Sequence, residues 1–519
     1  WMTVHSKSVR SNRRRVMRGL QIKASVNQNQ ADLQTRFMSV RPSPTILWFR
    51  KDLRLDDNRA LHAALQTGSP VIPVYILEPE EMGTGPLGPA QAWWLHHSLV
   101  SLGQSLEPYS SKLILRHGPP GQVLRHLIEQ SGAKTVHWNR RYDPSGMAMD
   151  AELKAALRSE GLEASSHAGF LLHEPSKVKT GSGGPFRVYT PFWRALEKQG
   201  DPPPPIEKPK TFHNPADWPD SDRLEDWQLL PTRPDWAKEF SQIWTPGESG
   251  AHEKLSQFID HGIKGYRTQR DFPALPHTSG LSPYLALGEI SPARIWHATI
   301  GLGDDVSSED YVHFRKELVW REFSYHLLFH FADLASQNWN DRFNDFPWEK
   351  NAAFLSAWQR GQTGYPIIDA GMRQLWRHGV MHNRVRMIVA SFLIKDLMID
   401  WREGEAWFRY TLVDADPASN AASWQWVAGS GADASPFFRI FNPVTQSEKF
   451  DPDGDYIRQF VPELAKLPNN LIHRPFEAPA ALLENAGVTL GKTYPAPLVD
   501  HKKARAVALE AYKSTGAPE

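Results

Sequence analysis
The chain has no cysteine in 519 residues. That excludes disulfides, zinc–thiolate sites, iron–sulfur clusters and thiol nucleophiles. It has no long apolar run: stretches such as 387–394 fall far short of the ~20 residues that span a bilayer, so no transmembrane helix is expected. It has almost no net charge, +1 at pH 7, and no internal repeat of fixed period. No G-x-G-x-x-G follows the first predicted strand, where the chain reads Trp48-Phe49-Arg50-Lys51-Asp52-Leu53-Arg54; the usual dinucleotide-binding loop is therefore absent there.

What remains is an ordinary globular balance, 40% hydrophobic and 23% charged, in a length that allows two to four domains. The small net charge hides an asymmetry. Residues 1–41 carry nine Lys/Arg against the single acid Asp32, so this segment is +8 and the remainder −7. Arg-rich and acid-poor, it reads as a disordered or non-native leader or as a targeting segment. Because the body is acidic, nucleic-acid binding would require a local basic patch.

From residue 45 to about 173, short apolar runs alternate with helical stretches. Residues 45–49, 71–77, 113–116 and 135–138 read as buried strands, and 58–66, 90–106, 121–131 and 148–160 as helices between them. That alternation predicts a doubly wound parallel sheet. Residues 201–220 contain seven prolines and read as a stiff extended linker. From about Pro246 the pattern is helical. Ile368, Met372, Leu375 and Trp376 share one face, Gly379 is a helix stop, and 381–401 reads as one buried helix.

Three clusters in the helical half carry chemistry. Glu317, Trp320 and Arg321 fall at i, i+3, i+4 and share a helical face; a surface ion pair beside a core tryptophan would explain them equally. Asn383 and Met387 lie at i, i+4 with Arg386 close by, which is polar recognition at the start of an apolar helix, or capping with solvated arginines. Asp414 and Asp416 before Pro417 read as a helix start, which leaves Asn420, Trp424 and Trp426 unexplained.

In order and spacing these clusters closely resemble the photolyase/cryptochrome family, most nearly its bacterial class III dimer photolyases. The resemblance runs from about 45 to 461. It includes 45–57 (TILWFRKDLRLDD), 266–273 (YRTQRDFP), 278–285 (TSGLSPYL), 317–323 (ELVWREF) and 437–443 (FFRIFNP). It implies an α/β antenna domain over 44–173, a linker over 174–245, and an all-helical FAD-binding domain over 246–519, behind the leader at 1–43. It also implies a U-shaped FAD held by Tyr266 and the turn Thr278, Ser279, Gly280, Leu281 and Ser282, where hydroxyls and backbone N–H groups suit phosphate. Gly280 replaces a serine often found there. Arg386 and Asp414 match the pair beside the isoalloxazine, Asp416 would accept from flavin or ribose, and Asn420 would face N5. Plant-type cryptochromes have aspartate at that last place, so Asn420 points toward a repair enzyme.

For the substrate, the resemblance implies a pyrimidine dimer flipped into a pocket over the flavin. Glu317 and Asn383 would read its edges, Trp320 and Trp426 would be the walls and Met387 the rim. Arg270, Arg321, Arg384 and Arg439 would be the phosphate contacts. Relatives that repair (6-4) photoproducts carry His where Asn383 stands, and His382, one place earlier, would point elsewhere; cyclobutane dimers are therefore favoured over (6-4) lesions. Trp424, Trp401 and Trp348 match the relay that reduces the flavin, with Trp376, Trp407 and Tyr410 as a side branch. The expected antenna pigment is methenyltetrahydrofolate. The expected partner is UV-damaged DNA, bound by a monomer, in the cytoplasm of a bacterium, or in an organelle or nucleus should 1–41 be a targeting segment. A blue-light receptor of cryptochrome type is the alternative.

Overall fold
The computed structural model describes residues 42–79, 87–303, 306–434 and 438–516; the expectation for the basic leader lies almost wholly outside them. Five parallel strands, β1 (Thr45–Phe49), β2 (Val71–Leu77), β3 (Ile114–His117), β4 (Thr135–Asn139) and β5 (Glu163–His167), lie in the order β3-β2-β1-β4-β5. This is the doubly wound sheet that the alternation predicts. The strand β5 goes unseen in the sequence because Glu-Ala-Ser-Ser-His is polar; as an edge strand it is only half covered.

Side chains along β1 alternate between two cores, as a strand's period of two requires. Ile46 and Trp48 pack outward with α3 (Pro120–Ser131) and α4 (Pro144–Ser159). Leu47 and Phe49 face a larger core, with Trp93 and Trp94 of α2 (Pro89–Leu106), that continues into the helical half. The helix α1 (Arg59–Gln66) starts where Asn58 caps the Leu61 N–H. The helix α4 begins at Pro144, earlier than periodicity suggests, because Asp143 caps it and Pro occupies its first turn.

The proline-rich stretch is extended and pinned along the sheet domain: Val71 N–H donates to His213 O and Asp57 N–H to Ile206 O, both at 2.7 Å. Before it lies α5 (Tyr189–Gln199). The long helix α6 (Ser308–His330) runs through the helical half. Beyond it, α7 (Pro366–His378) ends at Gly379 as expected. The stretch 381–401 corrects the expectation of one helix. The helix α8 (Asn383–Ser391) passes into a π-helical turn (Phe392–Asp396), Met398 takes φ +56, and a new helix α9 (Trp401–Thr411) starts on an Asp400 cap. The stretch is mostly apolar, but the backbone turns so that both helices face the same core. The helices α10 (Pro417–Ala428) and α11 (His501–Ser514) complete the site and its flank. Among the described residues no helix is long and apolar enough to cross a membrane.

The motif at 45–57 is a clamp between the halves rather than a nucleotide loop. Arg54, 1% exposed, donates to Gly288 O at 2.8 Å and Gly169 O at 2.6 Å. Leu55 and Asp56 N–H groups both donate to Glu248. Gly288 sits at φ +70 with Lys51 O where a Cβ would lie, 2.0 Å away, so only glycine permits this approach.

Two buried carboxyls join the halves. Glu289 accepts from Trp94 Nε1, Ser98 Oγ and Gly247 N–H. Glu322 accepts from His173 N–H at 3.2 Å. Burial pushes Glu289 up to about 8 and Glu322 up to about 7. Above pH ~4.5 the unfolded chain has lost these protons while the native chain keeps them. Their contribution to stability is therefore full below pH ~4.5, shrinks as pH rises above that value, and is gone once pH has passed 7 to 8. Denaturant unfolding should show stability falling over that window, with a shallower fall in Glu322→Gln; an unchanged slope in that variant would assign the dependence elsewhere.

Candidate functional site
A cavity of about 510 Å³ opens among α6, α8, α9 and α10. Helical spacing places its residues. Glu317, Trp320 and Arg321 project from one face of α6; Asn383, Arg386 and Met387 from α8; Asn420, Trp424 and Trp426 from α10, all lining the space. Tyr266, Arg270, Ser279, Leu281 and Ser282 close one side, and Asp414 and Asp416 the floor. Thr278, Gly280, Arg384, Arg439, Trp401 and Trp348 do not line it.

The floor is an ionic network. Arg386 Nη2 donates to Asp414 Oδ2 at 2.8 Å, and Ser282 Oγ donates to the same oxygen at 2.6 Å. Arg386 Nε is held by Met381 O at 2.7 Å. Asp414 is 7% exposed, and its other oxygen, Oδ1, is buried without a partner, as is Trp424 Nε1. Unsatisfied buried polar atoms carry a desolvation penalty, so a cavity that presents them suits a polar ring system able to pair with them. Asp416 caps α10 through Ser419 N–H at 2.7 Å, which makes the helix-start reading correct, while its Oδ2 accepts from Tyr325 Oη.

Asn420 Nδ2 donates to Glu405 Oε1 at 2.8 Å and Glu405 O at 3.1 Å. Its carbonyl oxygen is thereby left for the cavity. Glu405 is in turn paired with Arg409. Sequence reasoning missed Glu405 because it lies 15 residues away on α9; only the packing of α9 on α10 brings the two together. That packing is close: at Gly404 a Cβ would lie 2.1 Å from the Trp424 ring.

At the mouth, Glu317 is ion-paired with Arg270, whose guanidinium this carboxylate and others nearby hold above its ordinary range against the opposing effect of burial. Arg384 pairs with Asp271 at 2.6 Å and lies over the Phe450 ring at 4.4 Å. Asn383 and Arg439 are exposed and Met387 half-buried. His382 caps α8 through Nδ1 to Arg384 N–H and does not line the cavity; burial draws it down to about 4. Arg321 departs from the expectation of a phosphate contact. It is turned inward, 11% exposed in its side chain, donating to Phe170 O at 3.0 Å and stacked at 4.2 Å over the Phe170 ring, so it ties the two halves. Gly280 has φ +63, and a Cβ there would meet nothing nearer than the Lys254 side chain, at 3.6 Å, an ordinary contact; backbone conformation, not crowding, disfavours serine there.

The three relay candidates lie in one apolar cluster with graded exposure. Trp424 lines the cavity; Trp401 is fully buried with Nε1 donating to Asn338 Oδ1 at 2.9 Å; Trp348 is half-buried against Phe346 at 4.4 Å. Trp376, Trp407 and Tyr410 form a stacked column with centroids 5.9 and 5.8 Å apart.

A second cavity, about 590 Å³, lies at the carboxyl ends of β1, β2 and β4, lined by Lys51, Tyr75, Glu78, Gln91, Arg141 and Trp227 among others. It sits at the point where the strand order reverses, the usual ligand crevice of such sheets. Ala415, Asp416 and Asn420 line both cavities, so the two share a wall.

Comparison with known proteins agrees with this architecture. The family described as "FAD binding domain of DNA photolyase" matches residues 314–514, and "DNA photolyase" matches 45–210. The deoxyribodipyrimidine photo-lyase of Agrobacterium fabrum is 64% identical over 475 residues, 92% of this chain and 98% of that one. The crystal structure of a bacterial class III photolyase from Agrobacterium tumefaciens superposes with TM-score 0.90 at 63% identity, covering 92% and 99%. That of a Synechocystis cryptochrome superposes with TM-score 0.82 at 31% identity, covering 91% and 99%. The chain belongs to the DNA photolyase family, with the parallel-sheet domain and helical FAD-binding domain of that family.

Proposed function
We propose that the protein splits cyclobutane pyrimidine dimers in UV-damaged DNA under blue light, with FAD in the helical cavity. The single observation that carries this reading is one cavity that joins an unsatisfied acidic floor to an aromatic, carboxylate-bearing mouth. When bound, reduced FAD supplies a photoexcited electron that is lent to the dimer and returned.

The chain's own groups supply position and electrostatics. Arg386, Asp414 and Ser282 orient the isoalloxazine edge. Tyr266, Ser279, Leu281 and Ser282 line the side of the cavity that would hold the phosphates and ribityl chain, with Thr278 and Gly280 shaping their turn. Asn420, aimed by Glu405, presents an amide that has no readily lost proton to give. Asp416 accepts from the flavin or ribose. Glu317 and Asn383 bond the pyrimidine edges, Trp320 and Trp426 wall the pocket, and Met387 keeps its rim apolar. Arg270 and Arg384, in competition with Glu317 and Asp271, and the exposed Arg439 would contact phosphates, so affinity falls with salt. Trp424, Trp401 and Trp348 would form the path from the cavity wall to the surface along which an electron reaches a bound flavin. The second cavity fits an antenna pigment, methenyltetrahydrofolate by likeness to class III enzymes, and the absorption spectrum of the isolated holoprotein identifies it.

The deciding experiment illuminates the flavin-loaded protein with an oligonucleotide that carries one thymine dimer. Light-dependent loss of the dimer, absent in the dark, is the expected result. A yellow protein that cycles with light but leaves the dimer intact would make it a receptor instead. Loss of a (6-4) lesion with the cyclobutane dimer spared would move the substrate.

A further inference from the structure
Tyr189 and Asp433 line neither cavity, and no motif marks them. Tyr189, 7% exposed, opens α5, in the segment between the sheet domain and the helical domain. Its ring lies face to face on Trp320, with centroids 3.7 Å apart and planes 4° from parallel. Its hydroxyl donates to Lys316 O at 2.8 Å, one helical turn before Trp320. One side chain thus grips both the ring and the backbone that carries it.

Asp433 stands between Tyr189 and the other wall. Its carboxylate Oδ2 accepts the Tyr189 N–H at 3.3 Å, at a helix start where free N–H groups and the helix dipole favour an acid and where Val188 supplies no cap. Its own backbone carbonyl accepts Trp426 Nε1 at 3.1 Å, which fixes the rotation of that indole. Asp433 holds φ +54, a conformation that Asp tolerates better than most residues. Its neighbour Ala432 lines the cavity directly.

We propose that Tyr189 and Asp433 are positioning residues that set both aromatic walls of the lesion pocket as one rigid unit. The inference rests on the reading of Trp320 and Trp426 as those walls. A wall already fixed in its bound rotamer loses less freedom when the lesion enters. The segment that joins the domains thereby acts on lesion affinity although it touches neither lesion nor flavin.

The test uses flavin-loaded full-length protein in the dark, with a thymine-dimer oligonucleotide and its undamaged counterpart. Tyr189→Leu removes the stack and should weaken dimer binding about fivefold, the scale of one aromatic pair. Affinity for undamaged DNA, flavin content and photoreduction without DNA should stay as in wild type. Tyr189→Phe keeps the stack and should remain within about twofold of wild type. Wild-type dimer affinity in Tyr189→Leu would overturn the inference, and so would a loss matched by equal losses of flavin and of undamaged-DNA binding, which marks general loosening. Trp320→Ala separates the two levels. If it and wild type bind both DNAs alike, the pocket reading itself fails. If it loses selectivity while Tyr189→Leu keeps it, only the strut fails.

Discussion

An Arg386→Leu variant should purify nearly colourless. Asp414 is a buried carboxylate with two donors on one oxygen, Arg386 and Ser282, and none on the other. Removing the guanidinium leaves a buried charge with one hydroxyl for company, which costs about 3 kcal/mol or more. Were all of that cost to fall on the flavin-binding state, affinity would drop about 150-fold. The absorbance ratio of flavin to protein after purification measures it, together with the thermal midpoint, since part of the cost falls on the fold itself. Arg386→Lys keeps the charge but not the fork that reaches Met381 O and Asp414 together, and should retain an intermediate amount. Full flavin content in the leucine variant would show that this pair does not hold the ring.

The second large effect is expected from Trp401→Phe. A phenyl ring is far harder to oxidise than an indole, so the hole on Trp424 would have no acceptor between the cavity and Trp348. A barrier higher by only 1.4 kcal/mol slows a step about tenfold, and photoreduction from the oxidised state should slow by at least about that factor. Repair by chemically reduced enzyme should be spared, because the relay serves only the preparatory reduction. The substitution also leaves the Asn338 carbonyl without the Trp401 Nε1 donor, so a stability loss of about 1–3 kcal/mol is expected beside it. Normal photoreduction in this variant would remove Trp401 from the path and direct attention to the stacked column of Trp376, Trp407 and Tyr410.

Much of this was legible in the sequence, for identifiable reasons. Buried parallel strands are continuous apolar runs, so β1 and β2 could be bounded to the residue, whereas polar β5, covered on one side only, carried no such mark. Helix starts at Asn58 and Asp416 follow from side chains that satisfy their own neighbouring N–H groups, whereas the start capped by Asp143 does not show in the periodicity, which begins that helix only at 148. The interruption near Met398 did not show, because its cause is the direction in which two apolar faces must point, not their composition. In the site, residues three or four apart on one helix could be grouped, which recovered Glu317 with Trp320 and Asn383 with Met387. Partners on different elements could not: Glu405 behind Asn420, Tyr189 behind Trp320 and, past the end of its helix, Asp433 behind Trp426 meet only once the chain folds. Arg321 shows the converse, since periodicity put it on the face of Glu317 but not inside the contact with Phe170.

The chain alone determined most of the strands and helices, the absence of any thiol chemistry, and the residue types available to a flavin and a lesion, because these depend on local stereochemistry and on spacing along one element. Folding in three dimensions decided which acid is left half-satisfied, which arginine is turned inward and which aromatic rings brace one another. Those outcomes depend on how helices dozens to hundreds of residues apart are laid together, and burial, which sets the electrostatic strength of every group in the cavity, exists only once they are.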